Sequence, residues 1–217
     1  MDKCLNQQPN KEGKFFVIEG IDGCGKDTQI DQVSKELSKM GYKVYITNEP
    51  SYTGIGALIR ESLKNGLKDM NPKALSLLYI ADRINHCDDM RKYKEEGYIV
   101  ISSRYFWSNL AYNTDGTPIE MDRLLNKNLS EGIMIPDGLI YLDISAEESV
   151  RRMSKSREEL DAFENIEKQR KVHDNYQLAI NEPIPFMGST FVVDGTSSKD
   201  DITNSIVSHI VAQVSKS

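Results

Sequence analysis

The run Gly20-Ile21-Asp22-Gly23-Cys24-Gly25-Lys26 constrains this chain more than any other segment. It follows the apolar run Phe15-Phe16-Val17-Ile18 and precedes a stretch in which Ile30, Val33, Leu37 and Met40 recur at helical spacing. A strand that turns through glycines into a helix sets successive backbone N–H groups and a helix N-terminus around an anion, with a lysine reaching the outer charges. The spacing predicts a nucleotide-phosphate loop formed by Gly20, Gly23, Cys24, Gly25, Lys26, Asp27 and Thr28. A plain strand–turn–helix junction is the alternative. Such loops carry a Ser or Thr hydroxyl for Mg²⁺ where this chain has Asp27, and Thr28 comes one residue too late to point the same way. As an early acidic residue Asp27 would also complement the helix N-terminus, and it would need a cation nearby to offset repulsion from phosphate. Cys24 lies near a positive helix end, a setting that can lower a thiol pKa, or it is simply a small residue that fits the turn.

Further β-branched and aromatic runs follow at Val44-Tyr45-Ile46, Tyr98-Ile99-Val100-Ile101, Leu139-Ile140-Tyr141-Leu142 and Phe191-Val192-Val193, separated by longer helical stretches. That alternation predicts βαβ units around a parallel sheet, a three-layer α/β domain. Gly41 and Gly97 each stand just past an expected helix and directly before a strand, where a left-handed cap costs glycine little. The 217 residues suffice for one domain with a large core, expected over 14–217, with 1–13 as a mobile tail. At 39% hydrophobic and 28% charged residues the composition excludes a disordered chain. Lys+Arg 27 against Asp+Glu 33 gives a net charge of −6, which disfavours polymeric nucleic acid and anionic membranes as partners. An anionic ligand must therefore be gripped by a local cluster of cations. Cys4, Cys24 and Cys87 fit neither a disulfide framework nor a zinc site, and no apolar run is long enough to span a membrane, so a cytoplasmic location is expected.

Three further motifs stand in order at expected strand and helix ends: Glu49-Pro50; Leu77-Leu78-Tyr79-Ile80-Ala81-Asp82-Arg83-x-x-His86; and Arg104-Tyr105-x-x-Ser108-Asn109-x-Ala111-Tyr112. With the loop they resemble the thymidylate kinase family of nucleoside monophosphate kinases, over nearly the whole chain. The resemblance implies the P-loop NTPase fold with a five-stranded parallel sheet of order 2-3-1-4-5, transfer of the γ-phosphoryl of ATP to dTMP, a requirement for Mg²⁺, and a homodimer. It implies that Lys26 holds the ATP phosphates, that Asp22 lies near the acceptor sugar and that Arg104 stands between donor and acceptor phosphates. Tyr79 would stack on the base where the family usually has Phe, Arg83 and Asn109 would address the base edge, and Tyr112 would pack beneath the sugar. Glu49 and Ser108 complete the expected acceptor site. A lysine, an arginine and a divalent cation around a transferring phosphoryl are chemically sufficient, because this reaction needs positioning and charge stabilisation. Taken singly, Tyr79, Tyr112 and Trp107 read as core, His86 as a packing or hydrogen-bonding residue, and Arg83 and Arg104 as surface charges. Their joint order carries the reading.

Two departures bear on the chemistry. The third strand of the family ends in Asp-Arg-Tyr, whereas this chain reads Ser103-Arg104-Tyr105. The hydroxyl of the loop has become Asp27 and the carboxylate of the strand has become Ser103. Either the pair has exchanged roles and still serves the metal, or the chain binds nucleotide without turning it over. A lid is expected at 151–164, with Arg152, Lys155 and Arg157 as candidate cations and Arg157 assigned to catalysis; Ala162 stands where the family often has Arg. Another pyrimidine deoxynucleotide as acceptor is the alternative within the class.

Overall fold

The computed structural model describes residues 13–66, 70–153, 159–182, 184 and 187–215, with the backbone alone for 159–165. In chain order the elements are β1 Lys14–Glu19, α1 Lys26–Lys39, β2 Val44–Asn48, α2 Gly54–Lys64, α3 Pro72–Glu95, β3 Ile99–Ser103 and α4 Phe106–Asn113. They continue with α5 Pro118–Ser130, β4 Gly138–Asp143, α6 Ala146–Met153, α7 Glu159–Ala179, β5 Ser189–Asp194 and α8 Lys199–Ser215. The five strands form one parallel sheet in the order β2-β3-β1-β4-β5. This is the expected P-loop NTPase arrangement. Helices α1 and α8 pack together beside β1 and β5, whereas α3, α4 and α7 pack in succession on the other layer.

The inner strands are apolar on both faces because both are covered. Phe15 to Ile18, Val100, Ile101 and Leu139 to Leu142 have no exposed surface. Asn71 and Thr117 cap α3 and α5 by accepting the amides of Lys73 and Glu120, and each is followed by a proline at the first helical position. Gly41 and Gly97 take φ of 89° and 82°, the left-handed conformation expected of them.

The structure differs from the sequence reading at several places. β3 begins at Ile99 and runs through Ser103, because Ser102 and Ser103 stay in register with Val17 and Ile18 on one side and Thr47 and Asn48 on the other. Tertiary pairing extends the strand past its apolar run. Met40 is exposed, since α1 ends at Lys39 and the Met40 amide closes the last turn on Glu36 and Leu37. Gly13, counted with the tail, donates to the Lys94 carbonyl at 2.8 Å; a Cβ there would stand 2.0 Å from the Tyr98 carbonyl. Residues 1–12, Lys155 and Arg157 lie outside the described residues, as does the side chain of Ala162.

Candidate active site

The carboxyl ends of β1, β3 and β2 open onto a cleft, the place where parallel α/β sheets bind ligands. The loop after β1 holds a backbone that few residues other than glycine adopt, with φ of 150° at Gly20, 74° at Gly23 and 97° at Gly25. Gly20 also stands where a Cβ would come within 2.7 Å of the Leu142 carbonyl. Lys26 is buried and donates from Nζ to the carbonyls of Gly20 at 2.8 Å and Ile21 at 3.0 Å, with Cys24 Sγ at 3.5 Å. Burial, reinforced by the charge of Arg104, lowers the pKa of its ammonium. Cys24 is buried in the loop as a small packed side chain. Ser149 Oγ donates to the Asp22 carbonyl at 2.6 Å, and Arg152 donates to the Cys24 carbonyl at 3.4 Å and to the Gly195 carbonyl at 2.8 Å, so α6 clamps the loop from above.

Asp27 and Thr28 are exposed at the first turn of α1. Across the cleft Ser103 Oγ donates to Asp27 Oδ1 at 3.3 Å. The carboxylate at the start of α1 and the hydroxyl at the end of β3 thus lie side by side. One carboxylate and one hydroxyl suit Mg²⁺, which takes few protein oxygens and completes its octahedron with water and substrate phosphates. Among the described residues no three or more His, Cys, Asp or Glu side chains cluster in a way that could hold a metal ion.

Arg104 carries the strained turn of the site, with φ of 69° in a residue that is not glycine. Its amide donates to the Ile18 carbonyl at 3.1 Å and its carbonyl accepts from Ser102 Oγ at 2.8 Å. The guanidinium pairs with Asp22, donates to Ser108 Oγ at 3.1 Å and lies over the Tyr112 ring at 5.2 Å. Beneath this turn the fully buried Glu19 accepts the amides of Tyr105 at 2.8 Å and Ser108 at 3.0 Å and the hydroxyls of Ser108 and Tyr176, both at 2.8 Å. Burial would raise the Asp22 carboxyl, but Arg104 and Lys26 outweigh it and hold the pKa below the usual value. Burial works against the charged Arg104, and the phenol oxygens of Tyr112 and Tyr176 together with the carboxylates of Asp22 and Glu19 reverse that, fixing it as a cation. The Tyr112 phenol is pushed up by burial and stays neutral; its hydroxyl lies beside Asp22 and Arg104 without a well-formed hydrogen bond.

A cavity of about 300 Å³ is lined by Asp22, Glu49, Tyr79, Arg83, Arg104, Ser108, Asn109 and Tyr112, all eight residues expected at the acceptor site. Arg83 is buried and donates from Nε and Nη2 to Glu49 Oε2 at 2.8 and 2.6 Å. The other oxygen of Glu49 faces His86 Nδ1 at 3.3 Å, and His86 Nε2 lies 2.6 Å from Thr47 Oγ1. His86 is a hydrogen-bonding residue, and Trp107 is wholly buried against Phe106. Tyr79 is half-buried, and burial raises its phenol pKa. Asp22, Glu49, Pro50, Leu63 and Arg104 also wall a second cavity of about 510 Å³ that reaches Lys26, Asp27, Thr28 and Ser103. A third, of about 480 Å³, runs from Gly23, Cys24 and Gly25 to Lys199 of α8.

Residues overlooked in the sequence also line these spaces. Arg60 of α2, held by the carbonyls of Pro50 and Ser51, adds a cation to the second cavity. Its place six residues past a Gly, in a helix with no motif of its own, gave no signal. Together Lys26, Arg60, Arg104 and Arg152 supply the local positive cluster that a chain of net charge −6 needs for a polyanion.

The family model described as thymidylate kinase matches residues 18–206. The chain belongs to the thymidylate kinase family. It is 35% identical over 210 residues to a probable thymidylate kinase of Thermococcus onnurineus, covering 93% of this chain and 99% of that one. A probable thymidylate kinase of Pyrococcus horikoshii is 39% identical over 202 residues, 90% of this chain and 94% of its own. A thymidylate kinase of Mesoplasma florum is 35% identical over 195 residues, 87% and 90% of the two chains.

Proposed function

We propose that this chain is an ATP-dependent kinase that transfers the γ-phosphoryl of ATP to dTMP, giving dTDP. The observation that carries the reading is a single cavity lined by Asp22, Glu49, Tyr79, Arg83, Arg104, Ser108, Asn109 and Tyr112, which shares Asp22 and Arg104 with the cleft over Lys26. Phosphoryl transfer asks a protein for alignment and for positive charge around the transferring group. Lys26 and the loop amides would hold the donor phosphates. Arg104, fixed as a cation and aimed by Asp22 and Ser108, would meet charge developing between donor and acceptor. Tyr79 would give the base a face and Tyr112 would pack beneath the sugar, while Arg83 and Asn109 read the base edge. Asp27 and Ser103 would hold Mg²⁺, which when bound neutralises phosphate charge. Arg157 is proposed as the lid cation on family likeness alone.

A homodimer fits the exposed apolar side chains Leu58 on α2 and Leu77 and Ile84 on α3. A cytoplasmic location fits the free thiols of Cys24 and Cys87. Among the described residues no helix is long and apolar enough to cross a membrane. The direct test supplies ATP labelled in the γ-phosphoryl together with dTMP and Mg²⁺, and separates the products. The label should appear in dTDP. Label recovered only as inorganic phosphate, or ATP bound without turnover, would overturn the reading.

A further inference from the structure

Behind the wall of the acceptor cavity lies a side chain that does not line it. Asn128, on α5, is fully buried, and its amide stands between Arg83 and Asn109. Arg83 Nη1 donates to Asn128 Oδ1. Asn128 Nδ2 donates to Asn109 Oδ1 at 3.3 Å and to the Leu124 carbonyl at 2.8 Å. Asn109 Nδ2 donates in turn to Ser76 Oγ at 3.4 Å.

The direction of this chain of bonds follows from its charged end. A guanidinium has five N–H donors and no acceptor, so the atom that Asn128 turns to Arg83 must be its oxygen. Its nitrogen is left for Asn109, and the atom that Asn109 turns back must then be oxygen. The Leu124 carbonyl, which only accepts, enforces the same orientation of Asn128. Two amides whose ends are alike in shape therefore each have one arrangement, set by a partner that cannot reverse. Arg83 is itself held on three sides, by Glu49 along one edge, by Asn128 at Nη1 and by the face of Tyr105 at 4.9 Å.

We propose that Asn128 is a positioning residue for base selection, which fixes the roll of Arg83 and the amide orientation of Asn109 so that the cavity accepts a 4-keto pyrimidine and disfavours a 4-amino one. The inference rests on the cavity being the dTMP site. Thymine presents an O4 acceptor and an N3–H donor where cytosine presents an N4 amino donor and an N3 acceptor; the donor-only Arg83 meets O4 and opposes N4, and the second lone pair of an Asn109 oxygen fixed by Asn128 suits N3–H and opposes a bare N3. Discrimination of this kind is strong when a mismatched ligand leaves buried polar groups unpaired.

The test uses Asn128→Asp, which keeps an oxygen for Arg83 but cannot donate to Asn109, and Asn128→Leu, which removes both contacts. Each is made in the wild-type chain and in Asn109→Ala. Values of kcat/KM and Kd for dTMP and dCMP are measured beside the thermal midpoint. Asn128→Asp should lower the dTMP-to-dCMP ratio by about tenfold, mainly through the KM for dTMP with kcat retained. In the Asn109→Ala background the same change should move the ratio less than about twofold, because the effect passes through Asn109. Equal losses for both acceptors, an unchanged ratio in folded Asn128→Asp protein, or a full effect without Asn109 would each overturn the proposal. If Asn128→Leu does not fold, the Asp variant in the two backgrounds still decides. A wild-type chain that phosphorylates dTMP while the ratio stays unmoved defeats the role of Asn128 alone; one that does not use dTMP defeats the reading of the cavity as well.

Discussion

At the scale of single residues, Arg104 is the most tightly constrained side chain of the cleft. It is not a glycine, yet it occupies a positive φ, and it is held there from its amide, its carbonyl and its guanidinium. Strain held this firmly serves to aim the side chain. Arg104→Ala should lower kcat by on the order of 10²–10³ with a smaller change in the KM for ATP. Steady-state kinetics checks this, and an unaltered kcat removes Arg104 from the reacting centre. Asp27 and Ser103 make the second residue-scale prediction. Asp27→Ser leaves the cleft without its carboxylate there, whereas Ser103→Asp crowds two carboxylates against each other and against phosphate. Each change alone should lower activity and weaken the Mg²⁺-dependent binding of ATP, read by calorimetry, and the double variant should recover much of both. Strict additivity would contradict an exchange of roles. The loop was legible because its glycines and lysine are contiguous and each has a steric or electrostatic reason. The partnership of Arg83 with Glu49 and Asn128 was not, because those residues are 34 and 45 positions away and only the fold brings them together.

Among the elements, the strands and the helix following the loop could be read from apolar runs, and two helix ends from Gly41 and Gly97; the Asn71 and Thr117 caps went unread. What escaped was the end of β3, where Ser102 and Ser103 have no strand signature and are held by neighbours on both sides. The start of α4 was equally hidden. Its exposed-looking amides at Tyr105 and Ser108 find their acceptor in Glu19, the last residue of β1, 86 and 89 positions earlier. A buried carboxylate at a helix N-terminus meets both the unpaired N–H groups and the positive end of the dipole. Glu19→Ala should therefore destabilise the protein by roughly 2–4 kcal/mol, because it leaves two buried donors and two hydroxyls without their acceptor. The Arg104 turn should loosen with it, so kcat should fall in protein that is still folded at low temperature. Chemical denaturation beside kinetics tests this, and a loss below about 0.5 kcal/mol would show that the cap is dispensable.

For the molecule as a whole, the alternating pattern was enough to predict a parallel sheet, the net charge of −6 called for a local cluster of cations, and family likeness supplied the strand order. At the opposite edge of the sheet, Asp137 accepts the Phe15 amide at 2.8 Å and pairs with Lys14 and Lys94, both at 3.1 Å. Burial would raise its carboxyl, but these three donors outweigh it and lower the pKa below the usual value. A carboxyl whose pKa is lowered by folding stabilises the native state above the ordinary aspartate range and loses that contribution as pH falls through the folded value. Asp137→Asn should lower the thermal midpoint at neutral pH by a few degrees, and the difference from wild type should shrink as pH drops below about 4. A difference independent of pH would assign the loss to packing.

Acceptor choice tests the site most directly, because Tyr79, Arg83, Asn109 and Tyr112 around one cavity have a chemical meaning only for a particular nucleotide. The decisive measurement is kcat/KM with ATP and Mg²⁺ for dTMP, dCMP, AMP and GMP in parallel. The value for dTMP should exceed each of the others by at least about tenfold. A preference for AMP, GMP or dCMP, or no turnover with any of them while ATP binds, would contradict it.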